Sequence, residues 1–391
     1  MIQRDYLIVG AGLAAACTCE GIREYDQKGS VTLVGFEPFL PYHRPPLSKD
    51  FLKNREEPNQ PLQHPESWYE ENNIELRLNT TVRALNIERH LAVLDDGQTI
   101  QFKKACLATG SRPAIPQVAG ARLGNVFYLR GIRDAQAIRE IASTQKNIVI
   151  VGGGFIAVEA AASLKQLGMN VILMNRNTHL WEKRIDAETA EWLTNHMRDN
   201  GVRLMMREDL KGFEGKTTLK NVATKSGQRF SCGMALVAVG AEPNTELVLN
   251  TPLHSPYGTP VNEFLETDEK GIFAAGDIAL FPDKIFGGAR RIEHWDNAKQ
   301  QGLMVGANMT GRKRQRYDYL PYFFSDVFDL SFEFYGDFSR KPIMVNFEGD
   351  RSKKKFIARY SDSGKLCGVL LCNHDPEMGE KVAREIRESR K

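Results

Sequence analysis

Two short glycine-rich segments carry the residues best suited to chemistry in this 391-residue chain. Residues 10–15 read GAGLAA, residues 152–157 read GGGFIA, and each segment follows four apolar residues. Each pattern predicts a strand, a tight turn and a helix whose backbone N–H groups can approach a pyrophosphate closely. Two such motifs predict two dinucleotides, a flavin and a nicotinamide. The contact residues predicted in the motifs are Gly10, Gly12, Ala15, Gly152 and Gly154.

Each glycine motif needs a surrounding βαβ unit, and the apolar pattern predicts both units. The first has strands at 6–9 and 31–34 joined by a helix at 12–25, and Glu37 follows its second strand. A carboxylate there can accept hydrogen bonds from ribose hydroxyls, although its separation from Gly10 exceeds the roughly 20 residues that are usual. The second unit spans 148–175.

Three further apolar runs end in glycine turns, at Gly110, Gly240 and Gly276. Such turns at strand ends are where α/β proteins bind ligands. Asp277, on the last turn, is predicted to accept a hydrogen bond from a cofactor hydroxyl, and a helix N-cap is the alternative role. A proline-rich loop at 38–49 carries two cations, Arg44 and Lys49, and the two prolines between them fix its geometry.

The order of these elements predicts an α/β fold with two Rossmann-like dinucleotide-binding domains and a C-terminal α+β domain. Proline-bearing segments after Gly110 and Gly240 are expected to be hinges. We therefore predict a discontinuous FAD-binding domain, an inserted NAD(P)-binding domain and a tail domain. Their ranges are 1–112 with 243–320, 113–242, and 321–391. Tail strands are predicted at 331–335, 343–347, 356–360 and 367–371, with a helix from 377.

Composition is that of a globular protein, with 42% hydrophobic and 26% charged residues. No run approaches the ~20 apolar residues of a membrane helix, so we expect a cytoplasmic protein without a membrane partner. A net charge of +3 gives no reason to expect nucleic acid. The six cysteines form no C-x-x-C pair and have no zinc-ligand spacing, so we expect buried thiols and no metal.

Several linked motifs in this order resemble the FAD-dependent pyridine nucleotide-disulphide oxidoreductase superfamily. The resemblance is greatest to ferredoxin reductases of oxygenase systems, with rubredoxin reductases and apoptosis-inducing factor as relatives. Besides both glycine motifs, it rests on residues 41–49 (PYHRPPLSK), 108–110, 239–244, 275–277, 293–295 and 323–326. It covers nearly the whole chain and implies FAD and NAD(P)H as cofactors.

The resemblance also implies roles for individual residues. In the family, the lysine matching Lys49 lies near the flavin N5 and pairs with the glutamate matching Glu159, which orients the nicotinamide; these two are the predicted catalytic residues. Phe324 stands where many relatives carry tryptophan beside the flavin. The other implied cofactor-binding residues are Glu37, Arg44, Lys49, Thr109, Gly110, Asn175, Arg176, Gly240, Gly276, Asp277, Glu293, His294, Trp295 and Phe324.

The choice of coenzyme depends on Asn175 and Arg176. Relatives that use NADH usually carry an acid where Asn175 stands, to hold the ribose hydroxyls. Asparagine removes the charge that would repel a 2′-phosphate, and Arg176 could bind that phosphate. The pair slightly favours NADPH over NADH. The alternative is that Arg176 points to solvent and NADH binds.

Disulphide-reducing relatives need a cysteine pair near the flavin, and there is none between Cys19 and Cys106. Electrons are therefore expected to leave to a separate acceptor, a small acidic iron–sulfur protein of the ferredoxin or rubredoxin type. Arg290, Arg291 and the basic run 312–316 are its predicted docking surface. The alternatives are a slowly reduced redox sensor like apoptosis-inducing factor, and an NAD(P)H oxidase or quinone reductase. A monomer and a homodimer both remain open.

Overall fold

Parallel strands that are buried on both faces form the centre of two separate sheets, as the continuous apolar runs predict. The computed structural model describes residues 1–53, 61–339 and 344–391. Its helices are α1 (Leu13–Tyr25), α2 (Glu66–Glu71), α3 (Ile132–Thr144), α4 (Phe155–Gln166), α5 (Ala187–Asp199), α6 (Trp295–Thr310) and α7 (Pro376–Arg390).

The first twelve strands vary from two to nine residues in length. They are β1 (Ile2–Val9), β2 (Val31–Val34), β3 (Ile74–Arg77), β4 (Val82–Asn86), β5 (Leu91–Leu94), β6 (Thr99–Leu107), β7 (Ser111–Pro113), β8 (Val126–Phe127), β9 (Asn147–Val151), β10 (Asn170–Asn175), β11 (Arg203–Met206) and β12 (Leu210–Gly215).

The remaining strands become longer towards the C-terminus. They are β13 (Leu219–Thr224), β14 (Arg229–Ser231), β15 (Met234–Val237), β16 (Ala241–Pro243), β17 (Thr259–Pro260), β18 (Ile272–Ala274), β19 (Ala279–Pro282), β20 (Ala289–Arg290), β21 (Tyr322–Val327), β22 (Leu330–Gly336), β23 (Met344–Asp350), β24 (Lys355–Asp362) and β25 (Lys365–Cys372).

The chain divides into two compact units. The first unit contains Met1–His43, Pro61–Arg112 and Glu242–Pro321. Its main sheet has the order β3-β2-β1-β6-β5-β4, and β18 pairs with β6. The strands β3, β2, β1, β6 and β18 run parallel, whereas β4 and β5 form an antiparallel hairpin at the edge.

The second unit contains Arg44–Gln60, described as far as residue 53, together with Pro113–Ala241 and Tyr322–Lys391. It has a parallel sheet of order β11-β10-β9-β15-β8 and an antiparallel sheet of order β21-β22-β25-β24-β23. The tail thus groups with the second glycine motif, and so does the loop that carries Arg44 and Lys49. The three-domain division of the chain stays a prediction.

Most predicted elements form close to their expected limits, and the differences have local causes. The tail helix predicted from residue 377 is α7, and the motif at 293–295 leads into α6. The apolar run predicted before Gly240 forms β15, which ends at Val237, and the side chain of Val239 is 47% exposed because the chain has left the sheet there. Ile343, predicted to begin a tail strand, lies outside the described residues. Within the described residues, no helix is long and apolar enough to cross a membrane.

Helices α1 and α6 pack closely because glycines line their contact. A Cβ atom added to Gly306 would lie 2.3 Å from the carbonyl oxygen of Thr18 and 2.6 Å from the backbone nitrogen of Ile22. Gly21 and Gly302 face equally close backbone atoms. Because the obstacles are backbone atoms, the helices would have to separate to accept side chains. This contact supports the helix that follows the first glycine motif.

We predict that Gly306→Val lowers the free energy of unfolding by about 2 kcal/mol or more, because overpacking forces the two helices apart. Denaturant unfolding of the FAD-loaded protein measures the change. Gln300→Ala, on the same helix, is the control and is expected to unfold near the wild-type midpoint. An unchanged midpoint for Gly306→Val would show that the contact tolerates side chains.

Candidate functional site

The two glycine motifs have the same local structure, one in each unit. Gly10 and Gly152 have positive φ angles of 121° and 136°. A Cβ atom on Gly10 would lie 2.1 Å from the carbonyl oxygen of Ala108, and one on Gly152 would lie 2.2 Å from that of Ala238. Only glycine fits a turn that packs so closely on the neighbouring strand.

The helix N-termini beyond these turns are open. Gly12 and Gly154 are the N-caps of α1 and α4, and a Cβ atom on either would meet no atom within 4 Å. Ala15 is fully buried, which fits the close helix–strand packing required at the third position. Each unit therefore has room for a pyrophosphate in front of a helix N-terminus, as the two dinucleotides require.

In the first unit, the residues predicted to bind the sugar and ribityl groups are held by neighbouring side chains. Tyr42 Oη donates a hydrogen bond to Glu37 Oε1 at 2.9 Å. Ser111 Oγ donates to Asp277 Oδ2 at 2.7 Å, and Asp277 is only 8% exposed. Asp277 follows Gly276, whose φ is 78°. A carboxylate oxygen can accept more than one hydrogen bond, so these contacts are compatible with the predicted binding of ligand hydroxyls.

The turn at Thr109 and Gly110 is fixed by Asn244. Thr109 Oγ1 donates to the carbonyl oxygen of Asn244 at 2.8 Å, and the Asn244 side chain donates back to the carbonyl of Thr109 at 2.9 Å. Gly110 has a φ of 69°, which its missing side chain allows. The two residues thus form a rigid backbone turn after β6.

Residues at the start of α6 are also brought into this unit. Glu293 is exposed, His294 is the N-cap of α6, and Trp295 is its first residue. Trp295 Nε1 donates to His43 Nδ1 at 2.8 Å, so His43 carries its proton on Nε2 when it is neutral. Burial lowers the pKa of His43 below its ordinary value, which favours that neutral form. No role was predicted for His43, because it is distant from Trp295 in the sequence.

In the second unit, Lys49 and Glu159 do come together, but not as a simple pair. Lys49 Nζ lies 3.9 Å from Glu159 Oε1 and only 3.0 Å from Asp326 Oδ2. Glu159, on α4, is 6% exposed and hydrogen-bonds with the hydroxyls of Ser48 at 2.5 Å and Ser325 at 2.7 Å. Burial, the largest cause, raises the pKa of Glu159, and Lys49 and both serines oppose the shift.

Two other predicted residues lie beside this cluster. The Lys49 ammonium lies 4.4 Å from the centre of the Phe324 ring, a cation–π distance. Arg44 Nη1 donates to the carbonyl oxygen of Arg130 at 2.6 Å. Sequence reasoning names Ser48, Ser325 and Asp326 only within motifs and gives them no role, because their contacts with Glu159 and Lys49 join distant parts of the chain.

The residues predicted to choose the coenzyme lie at the end of β10. Asn175 is 6% exposed, donates to the carbonyl of His179 at 3.3 Å, and lies against Gly153, where a Cβ atom would be 2.4 Å from its Nδ2. Arg176 is exposed, and no described carboxylate pairs with it. Gly240, after β15, has a φ of 132°.

The predicted docking cations need a correction. Arg290 Nε pairs with buried Asp283 at 2.8 Å, and the Arg290 side chain is only 16% exposed. Arg291 donates to the backbone carbonyl of Asp277 at 2.9 Å and pairs with Glu293. Both guanidinium groups therefore neutralise acids of their own unit instead of presenting charge to a partner. The basic run 312–316 keeps exposed arginines.

All six cysteines are free thiols, and their surroundings favour the protonated form. Burial raises the pKa of Cys106 and Cys372 to about 12 and that of Cys232 to about 11, and it raises those of the other three as well. A thiol acts as a nucleophile only as the thiolate, so none of them is suited to disulphide exchange. Among the described residues, no cluster of metal ligands is present either.

Comparison with known proteins places the chain in a family. The family described as pyridine nucleotide-disulphide oxidoreductase matches residues 4–302, and the monodehydroascorbate reductase 3-like C-terminal domain matches residues 320–391. Peroxisomal monodehydroascorbate reductase 4 of Arabidopsis thaliana is 32% identical over 97% of this chain and 81% of its own length.

Ferredoxin reductases are similar in both sequence and structure. The ferredoxin–NAD(+) reductase subunit of the benzene 1,2-dioxygenase system of Pseudomonas putida is 33% identical over 78% of this chain and 74% of its own length. The ferredoxin reductase of the CYP199A2 system from Rhodopseudomonas palustris has a TM-score of 0.91 at 29% identity, covering 97% of this chain and 93% of that one. Putidaredoxin reductase, solved in a covalent complex with putidaredoxin, has a TM-score of 0.93 at 28% identity, covering 100% and 94%.

The chain belongs to the pyridine nucleotide-disulphide oxidoreductase family. It is an FAD-dependent NAD(P)H oxidoreductase with the fold of the ferredoxin reductase group, which has two dinucleotide-binding domains and a C-terminal domain. The predicted fold class is thereby confirmed. The individual site residues stay predictions that the local geometry supports.

We predict that Glu159→Gln changes the pH dependence of stability. A buried acid with a raised pKa destabilises the folded state as pH rises from its ordinary value of 4.5, because ionisation is then more costly in the folded than in the unfolded chain. Relative to wild type, the variant should therefore gain unfolding free energy as pH rises from 4.5 to 7.

Denaturant unfolding of the FAD-loaded proteins at several pH values measures that gain. Glu191→Gln, on the exposed side of α5, is the matched control and should follow the wild-type curve. A constant offset between Glu159→Gln and wild type at all pH values would contradict the raised pKa.

Proposed function

We propose that this enzyme takes reducing equivalents from NAD(P)H and delivers single electrons to a small acidic iron–sulfur protein of the ferredoxin or rubredoxin type. The observation that carries this proposal is the state of the cysteines. All six thiols are free and have raised pKa values, so the chain offers no disulphide to reduce. Electrons therefore leave to a separate acceptor. FAD supplies the conversion between a two-electron donor and a one-electron acceptor.

The protein's own groups bind and orient the two dinucleotides. We assign FAD to the first motif, with Glu37 for the ribose, Asp277 for the ribityl chain and the turn at Thr109 as part of the pocket. We assign the nicotinamide dinucleotide to the second motif, where Glu159 orients the carboxamide. From the family resemblance we assign Lys49 to the neighbourhood of the flavin N5, where its positive charge would favour reduction of the bound flavin.

Two acceptors are supported by different observations. The names and folds of the ferredoxin reductases favour an iron–sulfur protein. The match of the tail to the monodehydroascorbate reductase 3-like C-terminal domain favours an organic radical, monodehydroascorbate. Both accept one electron at a time, so the site chemistry is the same. We favour the protein acceptor because Arg312, Arg314 and Arg316 have side chains more than 60% exposed. Each lies 3.5–3.9 Å from a carboxylate of its own unit, but unlike Arg290 and Arg291 these side chains remain largely in solvent, which suits an acidic surface.

Anaerobic reduction followed by addition of each acceptor separates the candidates. We expect NADPH to bleach the flavin rapidly and a plant-type or putidaredoxin-like ferredoxin to reoxidise it. Salt should weaken that transfer because exposed charges are screened over about 10 Å at 0.1 M ionic strength. Fast reoxidation by monodehydroascorbate alone, without salt dependence, would favour the second candidate.

Three other outcomes of that experiment would contradict the proposed transfer of single electrons to an iron–sulfur protein. Flavin reduction over minutes, with a lasting long-wavelength band, would favour the redox sensor. Reoxidation by oxygen or by quinones, but by neither one-electron acceptor, would favour an oxidase or a quinone reductase.

The coenzyme is proposed to be NADPH in preference to NADH. Asn175 places an amide where a carboxylate would repel a 2′-phosphate, and exposed Arg176 is available to bind it. We predict that Arg176→Ala raises the KM for NADPH about tenfold, as expected for loss of one charged hydrogen bond, and leaves that for NADH unchanged. Steady-state kinetics with both coenzymes measure the effect.

Arg198→Ala removes another exposed arginine of the same unit and is the control, with no change expected for either coenzyme. Equal effects of Arg176→Ala on NADPH and NADH would assign Arg176 to general binding and would overturn the proposed preference.

A further inference from the structure

Lys49 has two carboxylates beside it, and they are not equivalent. Asp326 Oδ2 lies 3.0 Å from the ammonium nitrogen, a hydrogen-bond distance, whereas Glu159 Oε1 lies 3.9 Å away. Ser331 Oγ donates to Asp326 Oδ1 at 2.9 Å and so holds that carboxylate in place. A charge-assisted hydrogen bond depends strongly on distance, so the direct partner of Lys49 is Asp326.

Glu159 is held by hydroxyl groups instead. Ser48 Oγ lies 2.5 Å from Glu159 Oε2 and 3.4 Å from the carbonyl oxygen of Pro45. A serine hydroxyl carries one hydrogen, so Ser48 cannot donate to both oxygens. A proton on Glu159 resolves this, because Glu159 then donates to Ser48, and Ser48 donates to Pro45. Ser325 Oγ, 2.7 Å from Oε1, completes the surroundings.

The charge balance leads to the same assignment. Two charged groups affect the pKa of Glu159: Lys49, in the proline-rich loop, lowers it, and Asp326, on β21, raises it. With both acids ionised, one ammonium would face two carboxylates, and one of them would be almost fully buried. A buried charge needs a close partner, and Lys49 is already engaged by Asp326. With Glu159 protonated the cluster is neutral.

We propose that Asp326 is the counter-ion and positioning residue of Lys49, and that Glu159 carries a proton and serves as a neutral hydrogen-bonding group. This inference rests on the proposed function, because it concerns the groups assigned there to the redox centre and the nicotinamide. Asp326 fixes where the Lys49 ammonium lies, over Phe324 and beside Glu159. A neutral carboxyl can both donate to and accept from a carboxamide, whereas a carboxylate can only accept.

Infrared spectroscopy of the FAD-loaded enzyme at pH 7 tests the assignment directly. The wild-type spectrum should contain a C=O stretching band of a protonated carboxyl group that shifts in D2O and is lost in Glu159→Gln. The same band should also be lost in Asp326→Asn, because Lys49 then turns to Glu159 and the Glu159 proton leaves. Ser331→Ala, which loosens Asp326, should reduce the band only in part.

Asp362→Asn is the matched control, because Asp362 also accepts a hydrogen bond from a neighbouring serine, Ser363, at 2.9 Å. It should keep the wild-type band. Retained FAD absorbance and denaturant midpoints show that each variant is folded. A wild-type spectrum without a band that Glu159→Gln removes would overturn the proposal. A band that persists in Asp326→Asn would show that Asp326 does not hold Lys49.

Stopped-flow reduction by NADPH supplies the readout of positioning. Asp326→Asn should slow flavin reduction and leave the KM for NADPH close to wild type, whereas a loss of structure would change both. An unchanged reduction rate would remove the positioning role. The infrared measurement uses neither coenzyme nor acceptor. Its result therefore tests this inference even if no iron–sulfur protein accepts electrons from the enzyme. Failure of the proposed function and failure of this inference are therefore distinguishable.

Discussion

One close backbone contact occurs in both glycine motifs, and the predicted dinucleotide sites depend on it. In each motif, the glycine after a strand lies against the carbonyl oxygen of the residue that follows the neighbouring strand. At Gly10 the carbonyl belongs to Ala108, and at Gly152 it belongs to Ala238. Because a Cβ atom would lie about 2 Å from oxygen in both places, neither turn tolerates another residue. The turn directs the next helix so that its open N-terminus follows the strand, and every predicted dinucleotide contact is built around that arrangement.

The ionisable residues inside the second unit are compensated by groups next to them, and this determines which of them can carry a charge. Burying Glu159 is costly unless it is neutral or closely paired. Two serine hydroxyls satisfy its hydrogen bonds, and the more exposed Asp326 compensates Lys49. Lys49 can therefore keep its positive charge without a second buried ion beside it. Arg290 and Arg291 follow the same rule in the first unit, where they neutralise Asp283 and Glu293.

The fold and the outline of the site could be predicted because their signals are local. A glycine turn, the strand before it and the helix after it are adjacent in the sequence, so both βαβ units were found. Lys49 and Glu159 were named only through family resemblance. The partners Ser48, Ser325 and Asp326 were assigned no role because their contacts join residues more than 100 positions apart. Spacing in the sequence carries no signal for such contacts. Strand β21 positions Ser325 and Asp326, whereas Ser48 lies in the loop before Lys49.

The cysteines and the C-terminal tail together restrict which reactions of the family suit this chain more than either feature does alone. Family membership by itself permits disulphide reduction, which needs a reactive thiolate. Here burial keeps the thiols protonated, so that branch of the family is a poor description of this chain. The tail matches a reductase of an organic radical, and the whole fold matches reductases of iron–sulfur proteins. The two proposed acceptors differ in size and charge but share one-electron chemistry, so both are compatible with the absence of a reactive thiolate.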